Sequence, residues 1–437
     1  MKKSEHTNKI WLTLAMALLF TVILSMPLFD RYLNPTAETL APTPKASETQ
    51  NAESNDSLLA ATEKLQTERN QLLQEAEKLR EAYYYDEALA LLEARPDLAD
   101  QTISNAAARL IEDKASLVKY DGPIYHIFFH SLIADTAKAF DGDNMSLNYH
   151  LWMTTHDEFQ RILPQLYQRN YVLYNLDDLI AVDAQGKITQ RDIFLPSGKI
   201  PLVISIDDVN YYSYMQKDGF AKRLEAGEDG RIYTVVTDEA GNDILTRDGD
   251  IMPILDDFVA EHPDFSYRGA KGVIALTGYE GALGYRITDL TGEELAAAKI
   301  KAKTAANVLK NNGWLFACHS YTHNQYFNKL TITQKQLESD TSRWKTYIQP
   351  ITGETDIYIS PFGVRFNNDD PRYRYIVAEG FHIFCPVERS TNLVWYEDNI
   401  VMPRINIDGF SMTQAQDYLN EHLFNVDEVL DPARPIQ

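Results

Sequence analysis

Pro201-Leu202-Val203-Ile204-Ser205-Ile206-Asp207-Asp208 is the stretch whose reading settles the fold. Its branched apolar run has the form of a strand buried on both faces, as in a parallel sheet. It ends in two adjacent carboxylates, which repel one another unless they share a proton or a cation. Working outward, further strands are expected at 122–129, 171–174, 272–276, 315–317, 356–360 and 381–384. Between them lie helical patterns at 155–170, 252–262, 293–311 and 333–347, with another helix between the last two strands. Such alternation predicts an α/β fold with a largely parallel sheet, and the ~300 residues from 120 onward suit a barrel. Functional residues in such folds gather where strands end and loops begin.

A second segment meets that expectation. His319-Ser320-Tyr321-Thr322-His323 follows the strand at 315–317. Two histidines four apart converge on one ion if the backbone turns helical after the first. Two imidazoles and one carboxylate make a three-ligand site with open positions, the arrangement a catalytic metal needs. The remaining carboxylate is then placed to take a proton from water. The other acidic pairs, Asp256-Asp257 and Asp369-Asp370, read as solvated helix starts.

These residues resemble the NodB-type polysaccharide deacetylases (carbohydrate esterase family four). The family's first motif, Thr-Phe-Asp-Asp-Gly, is matched by Ser205-Ile206-Asp207-Asp208-Val209, and its second, His-Ser/Thr-x-x-His, in full by His319 to His323. Phe129-His130-Ser131-Leu132 looks like the opening Tyr-His-Ser-Ile of many members, and 159–179 resembles their helix-then-strand continuation. Ser360-Pro361-Phe362-Gly363 is similar to the Pro-Tyr-Gly part of the third motif, so the resemblance covers about 120–410.

The resemblance implies a distorted (β/α) barrel that removes N-acetyl groups from an amino-sugar polymer, peptidoglycan or a surface polysaccharide. Asp207 would be the general base. Asp208, His319 and His323 would hold a divalent metal, for which Zn²⁺ best suits the ligand set. Pro361, Phe362 and Tyr211 would contact substrate.

There are departures. Val209 replaces the motif glycine, and the third-motif arginine is Ile359, which leaves Arg365 or Arg404 to partner the base. The Leu-x-His motif that supplies the family's acid is not recognisable. His130 and His382 are the candidates, with His130 ahead because it ends a strand. These gaps support an alternative, a catalytically degenerate carbohydrate-binding or scaffolding membrane protein.

Tyr211, Tyr212, Tyr214, Tyr279 and Tyr285, with Gly278, Gly281 and Gly284, lie just beyond strand ends. Their rings suit sugar stacking, and equally the packing of a barrel rim. The polar insert 217–250, with turn signals at Glu228-Asp229-Gly230 and Ala240-Gly241-Asn242, reads as a lid or as a decorative hairpin.

Toward the N-terminus, residues 10–29 carry no charge and follow Lys2, Lys3 and Lys9. A helix of that length spans ~30 Å, about a bilayer's hydrocarbon core. The lysines keep the N-terminus cytoplasmic. No small-x-small cleavage site follows, Ser25-Met26-Pro27 being a poor one, so residues 1–30 read as a single-pass signal anchor in the cell membrane in preference to a cleaved signal peptide, with the rest extracytoplasmic on either reading. Pro35, Pro42 and Pro44 mark a flexible linker, 31–56. Residues 57–118 read as a small helical stalk, capped near Asp56 or Ser57 and broken at Pro96. Leu58, Leu65, Leu72 and Leu79 recur as a seam, but Thr62, Arg69 and Ala76 between them are weak knobs. Tyr84 to Leu92 looks like part of a tetratricopeptide-type hairpin, which would recruit a protein partner or give height. The catalytic region is then 119–437.

The chain's 437 residues carry 41 basic and 63 acidic side chains, a net charge of −22. That excludes nucleic acid as a partner, since phosphate binding needs a basic face. It would also repel anionic polymers, so the substrate is expected to meet a neutral, Tyr-lined cleft. Cys318 and Cys385 fit no zinc pattern and read as core thiols, although a bridge between them is not excluded by sequence.

Overall fold

The computed structural model describes residues 48–435 apart from Glu239, with side chains from residue 56 onward. The expected anchor, 1–30, lies outside the described residues, as does the linker up to residue 47. Among the described residues no helix is long and apolar enough to cross a membrane. The chain divides into two units, Met1–Thr62 and Glu63–Gln437. The helix Glu48–Glu81 begins well before the expected cap at Asp56 or Ser57. Nothing between Pro44 and that cap breaks a helix, because residues 48–55 contain neither proline nor glycine. Of the leucine seam, Leu58 and Leu65 are 62% and 44% exposed, whereas Leu72 is buried.

Within the larger unit a mixed α/β arrangement is built on one curled half-barrel sheet. From one edge its strands are Val394–Trp395, Ile400–Val401, Ile383–Cys385, Ile357–Ile359, Leu315–Cys318, Val273–Leu276, Ile200–Asp207, Tyr125–His130 and Ile405–Asn406. Tyr171–Leu173 pairs with the start of Ile200–Asp207. Every pairing is parallel except that of the edge strand Val394–Trp395. The helices His156–Gln168, Ile251–Glu261, Gly292–Asn311, Gln334–Tyr347 and Pro371–Ala378 connect these strands. Two of them open with full capping boxes, Thr155 with Glu158 and Thr333 with Gln336, which satisfy end N–H groups that would otherwise be orphaned.

Period-two alternation along Ile200–Asp207 separates two cores. Leu202, Ile204 and Ile206 pack outward against helix residues such as Phe159 and Leu163. Val203 joins Ala275, Ala317, Ile357, Ile359 and Ile383 in a second cluster on the sheet's inner face. Ser205 and Asp207 share the parity of Val203, so strand geometry alone sends them inward. His126 and His130 stand opposite Val203 and Asp207 in the register with the neighbouring strand.

The helices Tyr85–Glu93 and Gln101–Ala115 follow Glu48–Glu81, and the chain around the start of the first contacts the segment that precedes the strand Val273–Leu276. Tyr83 Oη donates to the Asp264 carbonyl at 2.7 Å, Tyr84 Oη to the Arg268 carbonyl, and Arg268 pairs with Glu87. Helical segment and sheet thus fall in one compact unit from Glu63 onward.

The insert at 217–250 departs from the lid reading. It forms a three-stranded antiparallel sheet, Arg223–Ala226, Ile232–Thr237 and Asp243–Thr246, turning at Gly230 and Gly241. Leu224, Ile232 and Val235 are buried in the outer core, which fixes it against the body rather than leaving it to close over a cleft. Nor do Asp256 and Asp257 start a helix. They sit within Ile251–Glu261, where Asp256 accepts from the Trp314 indole at 3.0 Å and Asp257 pairs with Arg247 and Arg231. Asp370 does cap its helix. Cys318 and Cys385 are both free and buried.

Candidate active site

Three strand ends converge. At the end of Ile200–Asp207 the chain turns sharply, with Asp208 at φ 59°. At the end of Leu315–Cys318, Ser320 and His323 also adopt positive φ, 59° and 40°. After Ile357–Ile359, Phe362 does the same at 56°. Left-handed backbone is unfavourable for residues with a Cβ, so its concentration here marks a site held in place by its surroundings.

Asp208, His319 and His323 offer ligand atoms that all lie within 4.8 Å of one another. The donor chemistry fits a divalent cation. His319 Nδ1 lies 2.8 Å from the Ile359 carbonyl and can only donate to it, which leaves Nε2 as a free lone pair facing the cluster. The His323 ring packs on His319 at 4.8 Å and on Phe362 at 4.3 Å between centroids. Burial pushes the His323 imidazole down, toward the neutral form that binds metal, although Asp208 opposes this. Burial raises the Asp208 carboxyl, but His323, His319, His130 and the Tyr212 hydrogen bond together more than offset it and hold it below its ordinary value.

Asp207 does not join this ligand set. Its carboxylate accepts two hydrogen bonds from Arg404, at 2.7 Å from Nη1 and 3.0 Å from Nη2. Burial acts to raise the Asp207 carboxyl; Arg404 first, then His319 and His130, reverse that and hold it well below the usual carboxylate range. Arg404 is fully buried, lies over the Phe128 ring at 4.2 Å, and also donates to Ser205 Oγ at 3.2 Å. Ser205 in turn contacts His126 Nε2 at 2.9 Å. The arginine missing at position 359 therefore arrives from a later strand segment, while the Ile359 side chain fills the inner core. Asp207 Oδ2 is 3.9 Å from His319 Nε2, so base candidate and ligand cluster adjoin.

The structure places the remaining candidates as follows. His130, half-buried, is the register partner of Asp207 and lines a small cavity with Asp208, Tyr212 and Tyr214. His382 precedes its strand and engages the Asp398 carbonyl at 2.7 Å, at the sheet's other end and away from the site. Arg365 is partly exposed and pairs with Glu388. Pro361 is buried, and Phe362 is 46% exposed beside His323. Tyr211, expected to contact substrate, lines the same small cavity as His130, and its hydroxyl donates to the buried Asp250 at 2.7 Å. Tyr285 is buried as well.

Asp340, on the helix Gln334–Tyr347, has no signal in the sequence. Its carboxylate accepts the Tyr321 N–H at 2.7 Å, the Thr322 N–H at 2.9 Å and the Thr322 hydroxyl at 2.6 Å. It thereby clamps the loop between the two histidines. Gly278 supports the same loop: its N–H donates to the Tyr321 carbonyl, and a Cβ there would lie 2.0 Å from the Tyr321 ring. Asp340→Ala would leave buried donors unpaired, so a loss of about 2–3 kcal/mol in chemical denaturation is expected. Zn²⁺ affinity should fall at least about tenfold in competition titrations, because this positioning residue holds the loop that joins the two histidines.

No protein-family profile matches the chain, and no curated protein does. Among solved structures, that of IcaB from Ammonifex degensii aligns with 68% of this chain and 97% of its own, at 12% identity and a TM-score of 0.39.

Proposed function

We propose that this protein is a metal-dependent hydrolase that removes N-acetyl groups from an extracellular amino-sugar polymer, peptidoglycan or a surface polysaccharide. The observation that carries the reading is the joint geometry of one site: Asp208, His319 and His323 around a common point, with Asp207 ion-paired to Arg404 beside them. Asp208, His319 and His323 would hold Zn²⁺, whose ordinary ligands they are. When bound, the ion supplies Lewis acidity for the attacking water and the acetamide carbonyl. Asp207 takes a proton from that water as general base, its carboxylate kept ionised and oriented by Arg404. His130, the register partner of Asp207, would protonate the leaving nitrogen as the C–N bond breaks, so that acetate and a free amine result. The anchor would hold the site outside the cell membrane, and the helical segment would serve as spacer or protein-docking element.

The purified full chain should release acetate from N-acetylchitooligosaccharides or peptidoglycan, lose this with a chelator and regain it with Zn²⁺. Metal binding without release from any acetylated glycan would refute the assignment. His130→Ala should lower kcat by about 10²–10⁴ while Zn²⁺ affinity stays within a few-fold, as for loss of a proton donor. Arg404 on Asp207 and His130 as the register partner of Asp207 support the enzymatic reading over a catalytically degenerate carbohydrate-binding or scaffolding protein, which would bind glycan without releasing acetate.

A further inference from the structure

We propose that Tyr212 joins sugar binding to metal ligation: its hydroxyl fixes the ligand Asp208, and its ring carries an aromatic ledge, with Tyr214 and Tyr279, on which a pyranose ring stacks. This rests on the deacetylase reading for the identity of the sugar, and on geometry alone for the link to the metal site.

The hydrogen bonds have a single consistent direction. Tyr212 Oη lies 2.7 Å from Asp208 Oδ1 and 3.1 Å from Thr277 Oγ1. An ionised carboxylate only accepts, so the phenol donates to Asp208 and the buried Thr277 hydroxyl donates to the phenol. Thr277 is itself fixed by Asn210, which accepts the Thr277 N–H at 3.1 Å and donates to its carbonyl at 3.0 Å. With Oδ1 committed to the phenol, the other oxygen of Asp208 keeps both lone pairs for an ion. A partner of this kind ordinarily sets the orientation of a metal-binding carboxylate.

The ring of the same residue is one face of a stack. Tyr214 lies parallel to it, centroids 5.8 Å apart and planes 9° from parallel, and Tyr279 packs on it at 5.6 Å. Tyr214 and Tyr279 are 46% and 54% exposed, so they present apolar faces to solvent beside the ligand cluster. The ledge is braced rather than loose. Glu280 accepts the Ser213 N–H at 2.7 Å and hydroxyl at 3.1 Å, and Arg286 pairs with Glu280 while donating to the Asn210 carbonyl. Two loops from different strand ends are thus stitched together beneath it. An exposed, rigid aromatic face costs little ordering on binding, and its chemistry suits the C–H faces of a neutral sugar.

The two halves of the proposal separate by mutation. Tyr212→Phe removes the hydroxyl and keeps the ring. The pair Tyr214→Ala/Tyr279→Ala removes exposed faces and keeps the hydroxyl. In the full-length protein, Zn²⁺ affinity is read by competition with a chromophoric chelator, and tetra-N-acetylchitotetraose binding by calorimetry on the metal-free protein, where no turnover occurs. Tyr212→Phe should weaken Zn²⁺ about 10–100-fold with glycan affinity within about twofold. The double variant should weaken chitotetraose about tenfold with Zn²⁺ affinity unchanged. Unchanged Zn²⁺ affinity in Tyr212→Phe, or unchanged glycan affinity in the double variant, would overturn the proposal. If both shifts appear but no acetate is released from any glycan, the coupling stands and the deacetylase assignment fails.

Discussion

Replacing Arg404 with methionine is expected to destabilise the protein by about 3–5 kcal/mol, the range for breaking a buried ion pair from one side. Asp207 would remain buried with its charge uncompensated, since both of its oxygens receive hydrogen bonds from this one guanidinium. The pH dependence identifies the cause. In the wild type Arg404 holds the Asp207 carboxyl below its unfolded value of ~3.9, so the stabilisation is present above that pH and lost as pH falls through the lower folded value. In Arg404→Met burial acts without its main opponent and raises the carboxyl above ~3.9. The folded state then binds the proton more readily than the unfolded one, and the variant gains stability as pH falls from 7 toward 5. Urea denaturation of the metal-free protein across that range should show the deficit relative to wild type shrinking on acidification. A deficit that is constant with pH would mean that Arg404 acts through packing on Phe128 alone.

The second large effect is expected from Asp208→Asn. In metal-free buffer its stability should lie within about 1 kcal/mol of wild type, because the amide oxygen still accepts from Tyr212 and the lost attraction to the neighbouring imidazoles is offset by removing a partly buried charge. Adding Zn²⁺ at a hundred times its Kd should then stabilise the wild type by about 2.7 kcal/mol and the variant hardly at all. Acetate release should fall by on the order of 10³ or more, since Lewis-acid stabilisation of the transition state is worth several kcal/mol. Thermal shift with and without Zn²⁺ reads the ligand role without any substrate. An equal shift in both proteins would remove Asp208 from the ligand set.

Much of the sheet was legible because its signal is local. The apolar run before Asp207 is buried on both faces, and the strands expected at 122–129, 272–276 and 315–317 appear as Tyr125–His130, Val273–Leu276 and Leu315–Cys318. The helices expected at 155–170 and 333–347 appear as well, each opened by a threonine cap whose contacts are confined to a few residues. The same locality makes the candidate metal cluster readable: Asp208 follows directly on one strand, and His319 and His323 lie four apart after another. Where the signal failed, the contacts were long-range or depended on one backbone angle. Tyr211 and Tyr212 are adjacent and chemically identical, yet one hydroxyl reaches the core at Asp250 and the other the candidate ligand Asp208. Asp208 at φ 59° and Tyr211 at φ 53° lie in the turn that decides between them, and no residue pattern announced it. The insert reads equally as a lid or a decorative hairpin for a related reason, since hairpin signals specify the turns, which appear at Gly230 and Gly241, but not the surface that the hairpin lies on.

The sequence by itself determined where chemistry could sit: carboxylates and imidazoles at the ends of apolar strands, in a parallel α/β sheet that carries strand ends to one side. Periodicity and short-range capping are properties of neighbouring residues, so they survive without coordinates. Tertiary structure alone decided which partners complete that chemistry. Arg404 reaches Asp207 across 197 positions of chain, His319 is oriented by the backbone carbonyl of Ile359, and Asp340 holds the loop between the histidines from a separate helix. Each of these contacts joins groups brought together only when the sheet curls. The most negative chain-wide charge says nothing about them, and the site's character comes from a few buried pairs whose geometry the fold imposes.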